Sequence, residues 1–134
     1  MLKEKVVKYY SGERDLNCAE SMIYGANEEY ELNLDQKALD TMASFGGGMG
    51  VESVCGALTG GLAVLGVMFT CNKAMDAKKR KAIVTDFYKG FEKRFGTDHC
   101  QCIKDKFRDD NLGCQNVVKW SAEVLEEVIK KYQE

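Results

Sequence analysis

Apolar residues recur along most of this chain at spacings of three and four, the period of helices with one buried face. Residues 2–10 form a short amphipathic helix that Ser11-Gly12 ends. Asn17 then reads as an N-cap, with Glu20 completing a variant of the capping box. The helix it opens runs to about Tyr30 and turns Met22, Ile23 and Ala26 inward. Asp35 caps a third helix through Ala43, with Ala38, Leu39 and Met42 inward. The run Phe45-Gly46-Gly47-Gly48-Met49-Gly50 must be a break, because glycine at that density opposes helix.

A long apolar segment, Val51 to Cys71, follows and is rich in small residues (Gly56, Ala57, Gly60, Gly61, Ala63 and Gly66). Glycine is a poor helix former, so this helix relies on close packing by its neighbours. A charged helix from about Ala74 to Phe95 carries Ile83, Val84, Phe87, Phe91 and Phe95 as its apolar stripe, and Gly96 ends it. Asp98 and Gln101 read as a second capping-box variant, opening a helix through about Phe107. The last helix runs from about Cys114 to Tyr132, with Val117, Val118, Trp120, Val124, Leu125, Val128 and Ile129 apolar. No segment shows a strand's alternation, and no linker or repeat divides the chain. The pattern therefore predicts an all-α protein. It would be one compact domain over residues 1–134, a bundle of about six to seven helices around a central small-residue-rich helix at about 51–71.

The central segment has a rival reading. Ser53 to Cys71 is uncharged and close to the length that spans a bilayer. Gly56 and Gly60 fit a G-x-x-x-G helix-pairing face, and Lys78-Lys79-Arg80-Lys81 resembles a positive-inside flank. The other helices are amphipathic, however, and need a buried partner, which this segment supplies; no membrane is the expectation. The same small residues leave a homodimer open. The 134 residues are 45% hydrophobic, enough for a core without disulfide staples. A formal net charge of −2 gives no pull toward nucleic acid. Lys78–Lys81 reads first as a solvated helix face. No secretory signal opens the chain, so the expected compartment is the reducing cytoplasm, where cysteines are more often catalytic or metal-binding than structural.

Four of the six cysteines, Cys18, Cys55, Cys100 and Cys114, fall at what read as helix starts. A helix N-terminus carries partial positive charge and free N–H donors, which favour the thiolate. Four such thiols suggest one shared site. Without a C-x-x-C pair the common zinc-ribbon, ferredoxin and thioredoxin signatures are missing. Cys100 and Cys102 would point about 200° apart on one helix. Cys71, near a helix C-terminus, and Cys102, deeper in its helix, read as small buried hydrophobes. The glycine loop lacks the Gly-Lys-Ser/Thr of a phosphate-binding loop, yet Gly47, Gly48, Gly50 and Gly56 leave N–H groups for a bound anion or cluster. His99, the only histidine, sits beside Cys100, where it reads as a structural or solvated residue, with a proton donor or metal ligand as the other option.

The order Cys18, the Phe45–Gly50 glycine run, Cys55-Gly56-Ala57-Leu58-Thr59-Gly60, then Cys100 and Cys114 resembles the redox-active family named for its C, CGAxxG, C, C pattern. Arg94-Phe95-Gly96 also looks like that family, and the resemblance runs from Asn17 into the last helix. It implies a small soluble helical protein whose redox or metal role is carried by Cys18, Cys55, Cys100 and Cys114. Ile103 matches an apolar position that follows the family cysteine by three, which favours Cys100, although the C-x-C spacing lets Cys102 stand in for it. A related domain in split-Soret cytochromes pairs an iron–sulfur site with heme. This chain lacks C-x-x-C-H, so no c-type heme is expected. The expected cofactor is an iron–sulfur cluster, [2Fe–2S] favoured, serving an unknown redox partner protein. The alternatives are a metal-free thiol–disulfide protein and a structural Cys₄ zinc module.

Overall fold

A computed structural model describes residues 1–70 and 76–133 of the chain. Seven α-helices account for most of these residues: α1 Leu2–Tyr10, α2 Cys18–Glu29, α3 Gln36–Asp40, α4 Gly56–Thr70, α5 Ala77–Phe95, α6 Cys100–Phe107 and α7 Gln115–Tyr132. The described residues form no strand, only the isolated bridges Val54–His99 and Asp109–Gly113. The all-α expectation holds.

The helix starts follow local chemistry. The Asn17 side chain accepts from the Glu20 N–H at 2.8 Å, and Glu20 Oε1 accepts from the Asn17 N–H at 3.0 Å, closing the expected capping box. Asp35 caps α3 by accepting from the Ala38 N–H at 2.8 Å, and Asp76 caps α5 through the Lys78 N–H at 3.0 Å. Gly96 ends α5 in the left-handed conformation at φ 78°, which glycine adopts without a Cβ penalty.

Two expected starts move. The central helix begins at Gly56 rather than Val51, because Gly47, Gly48, Met49, Gly50 and Glu52 all take positive φ and keep the chain out of right-handed helix until Cys55. Asp98 does not cap α6. Its carbonyl accepts from the Cys55 N–H at 2.9 Å and its carboxylate accepts from the Tyr88 hydroxyl, so His99 stands at the cap without a side-chain bond. Gln101 instead donates to Asp105 Oδ1 at 2.8 Å.

Helix α4 packs against α2, α5 and α7, and its Ala57, Leu58, Val64 and Leu65 are buried. Its small residues serve contacts inside the chain: a Cβ on Gly60 would lie 2.6 Å from the Ala19 carbonyl oxygen, and one on Gly61 2.5 Å from Phe87 Cζ. The stripe of α5 buries Ile83, Phe87, Phe91 and Phe95, with Val84 only half-buried. Phe107 of α6 stacks edge-on between Phe95 and Trp120, at centroid distances of 5.5 and 6.1 Å, which fixes α6 against α5 and α7. Helix α1 lays fully buried Leu2 and Val6 on α2 and α7. Lys78–Lys81 is exposed, as a solvated face should be. Among the described residues no helix is long and apolar enough to cross a membrane. The expectation for Cys71 lies outside the described residues.

Candidate functional site

The backbone brings four helix starts to one place. Cys18 and Cys100 are the first residues of α2 and α6, while Cys55 and Cys114 stand immediately before α4 and α7. Gly56 and Gly60 explain how two of these starts meet. A Cβ at Gly56 would lie 3.1 Å from the Gly46 Cα and 3.2 Å from the Ala19 nitrogen, so glycine lets the α4 start lie close on the α2 start. The Asn17 side chain that caps α2 also ties down the chain just ahead of the glycine loop, donating from Nδ2 to the Ala43 carbonyl at 2.9 Å. The third start is tied to the second by a short antiparallel bridge. Cys100 N–H donates to the Ser53 carbonyl at 2.5 Å while Cys55 N–H donates to the Asp98 carbonyl. The fourth is held from α1, where the Cys114 N–H donates to Tyr10 Oη at 2.9 Å.

The four cysteines line a single cleft of about 460 Å³ together with Tyr10, Asp15, Lys104 and Arg108. Each of their six pairings is close enough for one thiolate to feel the other's charge. Cys18 and Cys114 go further and share a hydrogen bond. The Cys18 thiol donates and Cys114 accepts, which pushes the Cys18 pKa well up, burial adding to it. The same bond, helped by Arg108, draws Cys114 down to about 6 against burial. Arg108 Nη1 donates to Cys114 Sγ at 3.9 Å. Burial lifts Cys55 to about 11, although the Ala57 and Leu58 N–H groups at the start of α4 pull the other way. Burial also raises Cys100, with Lys104 opposing. In the reduced, metal-free protein the cleft therefore holds one favoured thiolate, at Cys114, among three reluctant ones.

Of the glycines expected to face a ligand, Gly47 and Gly56 line the cleft. Gly48 is buried behind it, against Ser53 and Cys100, and Gly50 is exposed with nothing within 4 Å of where its Cβ would be. Cys102 is exposed, not the buried thiol expected, and it does not line the cleft, since two residues along α6 turn it away from Cys100. His99 is exposed and bridges Val54 through its backbone. Among the described residues no group of three or more His, Cys, Asp or Glu side chains is arranged to hold a metal ion; the four cysteines line the cleft without closing on one point.

Sequence reasoning missed Tyr10, Lys104 and Arg108. A signal exists for Tyr10, which lies four residues after Val6 and eight after Leu2 on the buried stripe of α1 and ends it in a hydroxyl. Arg108 lies just past α6 in a loop, where no periodicity points to a partner.

A family model described as "Putative redox-active protein (C_GCAxxG_C_C)" matches residues 16–128. The chain reads Cys55-Gly56-Ala57 where that label reads Gly-Cys-Ala, leaving Ala57 and Gly60 in register. No curated protein and no solved structure matches the chain.

Proposed function

The chain belongs to the redox-active C_GCAxxG_C_C family, and on that premise we propose that Cys18, Cys55, Cys100 and Cys114 act as one redox site holding an iron–sulfur cluster, [2Fe–2S] in preference to larger forms. The observation that carries this reading is that four cysteines, each from a different helix start, line one cleft. The donor set fits: iron–sulfur clusters are held by cysteine thiolates, and such a cluster supplies one-electron exchange. Four thiolates this close repel one another, which adds to the rise that the Cys114 hydrogen bond gives Cys18 and that burial gives Cys55 and Cys100. A cationic metal core relieves that repulsion, and the helix N-termini with Lys104 and Arg108 offset the net negative charge that remains. Four cysteines lining a cleft without closing on one point suit a multinuclear centre better than a zinc ion, which needs four sulfurs about 2.3 Å from one point. The free thiols at Cys18, Cys55, Cys100, Cys102 and Cys114 suit a reducing compartment such as the cytoplasm. Electrons would pass to a partner protein.

The hydrogen bond between Cys18 and Cys114 favours a second reading, a metal-free dithiol. In this reading the oxidant is a disulfide on a partner: the Cys114 thiolate would attack one of its sulfurs and expel the other as a thiolate, and Cys18, giving up its proton, would then attack Cys114 to form the Cys18–Cys114 bond and release the second, so that the partner disulfide leaves as two thiols. Iron, acid-labile sulfide and zinc measured on anaerobically purified protein, with its visible spectrum, separate the readings. Equal iron and sulfide with visible absorbance supports the cluster. Colourless protein without metal, forming a Cys18–Cys114 disulfide on mild oxidation, supports the dithiol. Zinc without sulfide overturns both.

A further inference from the structure

The matched segment begins at residue 16, yet the cleft takes one wall from before it. We propose that α1 completes the redox site, with Tyr10 as the positioning residue that fixes Cys114 at the start of α7. The proposal rests on the reading above only in taking Cys114 as a working cysteine; it holds for a cluster ligand and for a dithiol alike.

Cys114 occupies the N-cap of α7, but its side chain makes no capping bond. The first N–H groups of a helix need acceptors from outside it. Tyr10 supplies one from far away in sequence, its Oη accepting from the Cys114 N–H at 2.9 Å. The preceding loop is shaped to admit that hydroxyl. Asp109 and Gly113 exchange two backbone bonds of 2.9 and 2.8 Å, and Asp109 Oδ1 accepts from the Asn111 and Leu112 N–H groups. Gly113 sits at φ 61°, and a Cβ there would lie 2.9 Å from Tyr10 Oη. A side chain at 113 would therefore push the hydroxyl off Cys114.

Helix α1 is itself firmly seated. Val6 lies so close to α2 that a Cβ on Gly25 would come 2.6 Å from its Cγ2. The Leu2 N–H donates to buried Glu126 of α7 at 3.4 Å. Both ends of α1 thus bond to α7 or to the residue just before it, and the carboxy-terminal bond lands on a site cysteine. Tyr10 thus lines the cleft with the other residues of its wall while its hydroxyl oxygen is held on the Cys114 backbone.

The test compares Tyr10→Phe with Tyr9→Phe in reduced, metal-free protein. Tyr9 lies on the same helix and donates to Glu28 at 2.8 Å, so its variant also loses one hydrogen bond, but away from the cleft. Iodoacetamide alkylation of each cysteine is followed by mass spectrometry at one pH, with thermal melts alongside. Tyr10→Phe is expected to change the Cys114 rate by at least about threefold, a hydrogen bond's worth, and to carry Cys18 with it. Cys55 and Cys100 should stay near wild type, and Tyr9→Phe should leave all four rates unchanged. A Tyr10→Phe protein whose Cys114 rate equals wild type overturns the proposal, as does an equal change at all four cysteines. Should Tyr10→Phe fail to fold, Gly113→Ala, which retains the hydroxyl but displaces it, must give the same Cys114-selective change or the proposal fails. Metal content does not enter this readout, so absence of a cluster would overturn the proposed cofactor and leave this inference standing.

Discussion

Cys18 and Cys114 share a hydrogen bond although 96 positions separate them in the sequence, one opening α2 and the other preceding α7. The bond splits two chemically identical thiols into a donor that keeps its proton and an acceptor that gives it up. Arg108, which stands beside Cys114 and favours its thiolate, reinforces the asymmetry.

That asymmetry sets a pH dependence for the reduced, metal-free protein. Cys114 has its pKa depressed in the fold, from 9.0 to about 6. Its contribution to stability is therefore full above pH 9 and is lost as the pH falls through about 6. Cys18 is raised, so its contribution has the opposite sense: it is present below pH 9 and is lost as the pH rises further. Stability should climb between about pH 6 and pH 9 and decline above. Alkylation of Cys114 should rise with an inflection near pH 6. Cys18→Ala, which removes the largest cause, and Arg108→Gln should each move that inflection upward. An inflection that stays near 6 in Cys18→Ala would exclude the shared proton.

The glycine loop separates strain from crowding. Gly48 has φ 62°, and a Cβ there would run into the Ser53 backbone nitrogen and lie 2.9 Å from the Cys100 Cβ. Gly50 has φ 76° with open space around it. Gly48→Ala should cost about 3 kcal/mol or more, and Gly50→Ala only about 1 kcal/mol, in urea unfolding of the purified protein. Equal losses would mean that the loop does not press on Cys100 as described.

Helix α4 offers a second pair. A Cβ on Gly60 would meet the Ala19 backbone at 2.6 and 2.9 Å, atoms that cannot move aside without shifting Cys18, whereas Gly66 is exposed with nothing within reach. Gly60→Ala should destabilise by about 1–3 kcal/mol. Gly66→Ala should stabilise by about 0.5–1 kcal/mol through helix propensity alone. Thermal melts of the two variants check both signs.

Much of the fold could be read from local signals. Asn17 and Glu20 mark α2, Gly96 ends α5, and the apolar stripes of α5 and α7 name residues that are mostly buried. The failures share a cause, which is that a residue's bonding capacity was claimed by a distant partner. Asp98 looks like a cap in sequence, but Tyr88 and Cys55 take its oxygens. Val51 to Val54 read as the start of the central helix, but positive φ at Gly50 and Glu52 and the bridge to His99 hold them out of it. The four helix-start cysteines were legible because capping is local. The hydroxyl of Tyr10 and the guanidinium of Arg108 were not, because nothing near them in sequence announces a sulfur. Cys102 turns outward by the helical period, although its residue type suggested burial.

The central claim is that four cysteines act as one site and the exposed fifth does not. Its most direct test is iron and acid-labile sulfide per chain in anaerobically purified Cys18→Ser, Cys55→Ser, Cys100→Ser, Cys114→Ser and Cys102→Ser proteins, each shown to be folded. Each of the first four should lose most of its iron and sulfide while Cys102→Ser matches wild type. Wild-type content in any two of the four, or its loss in Cys102→Ser, would contradict it.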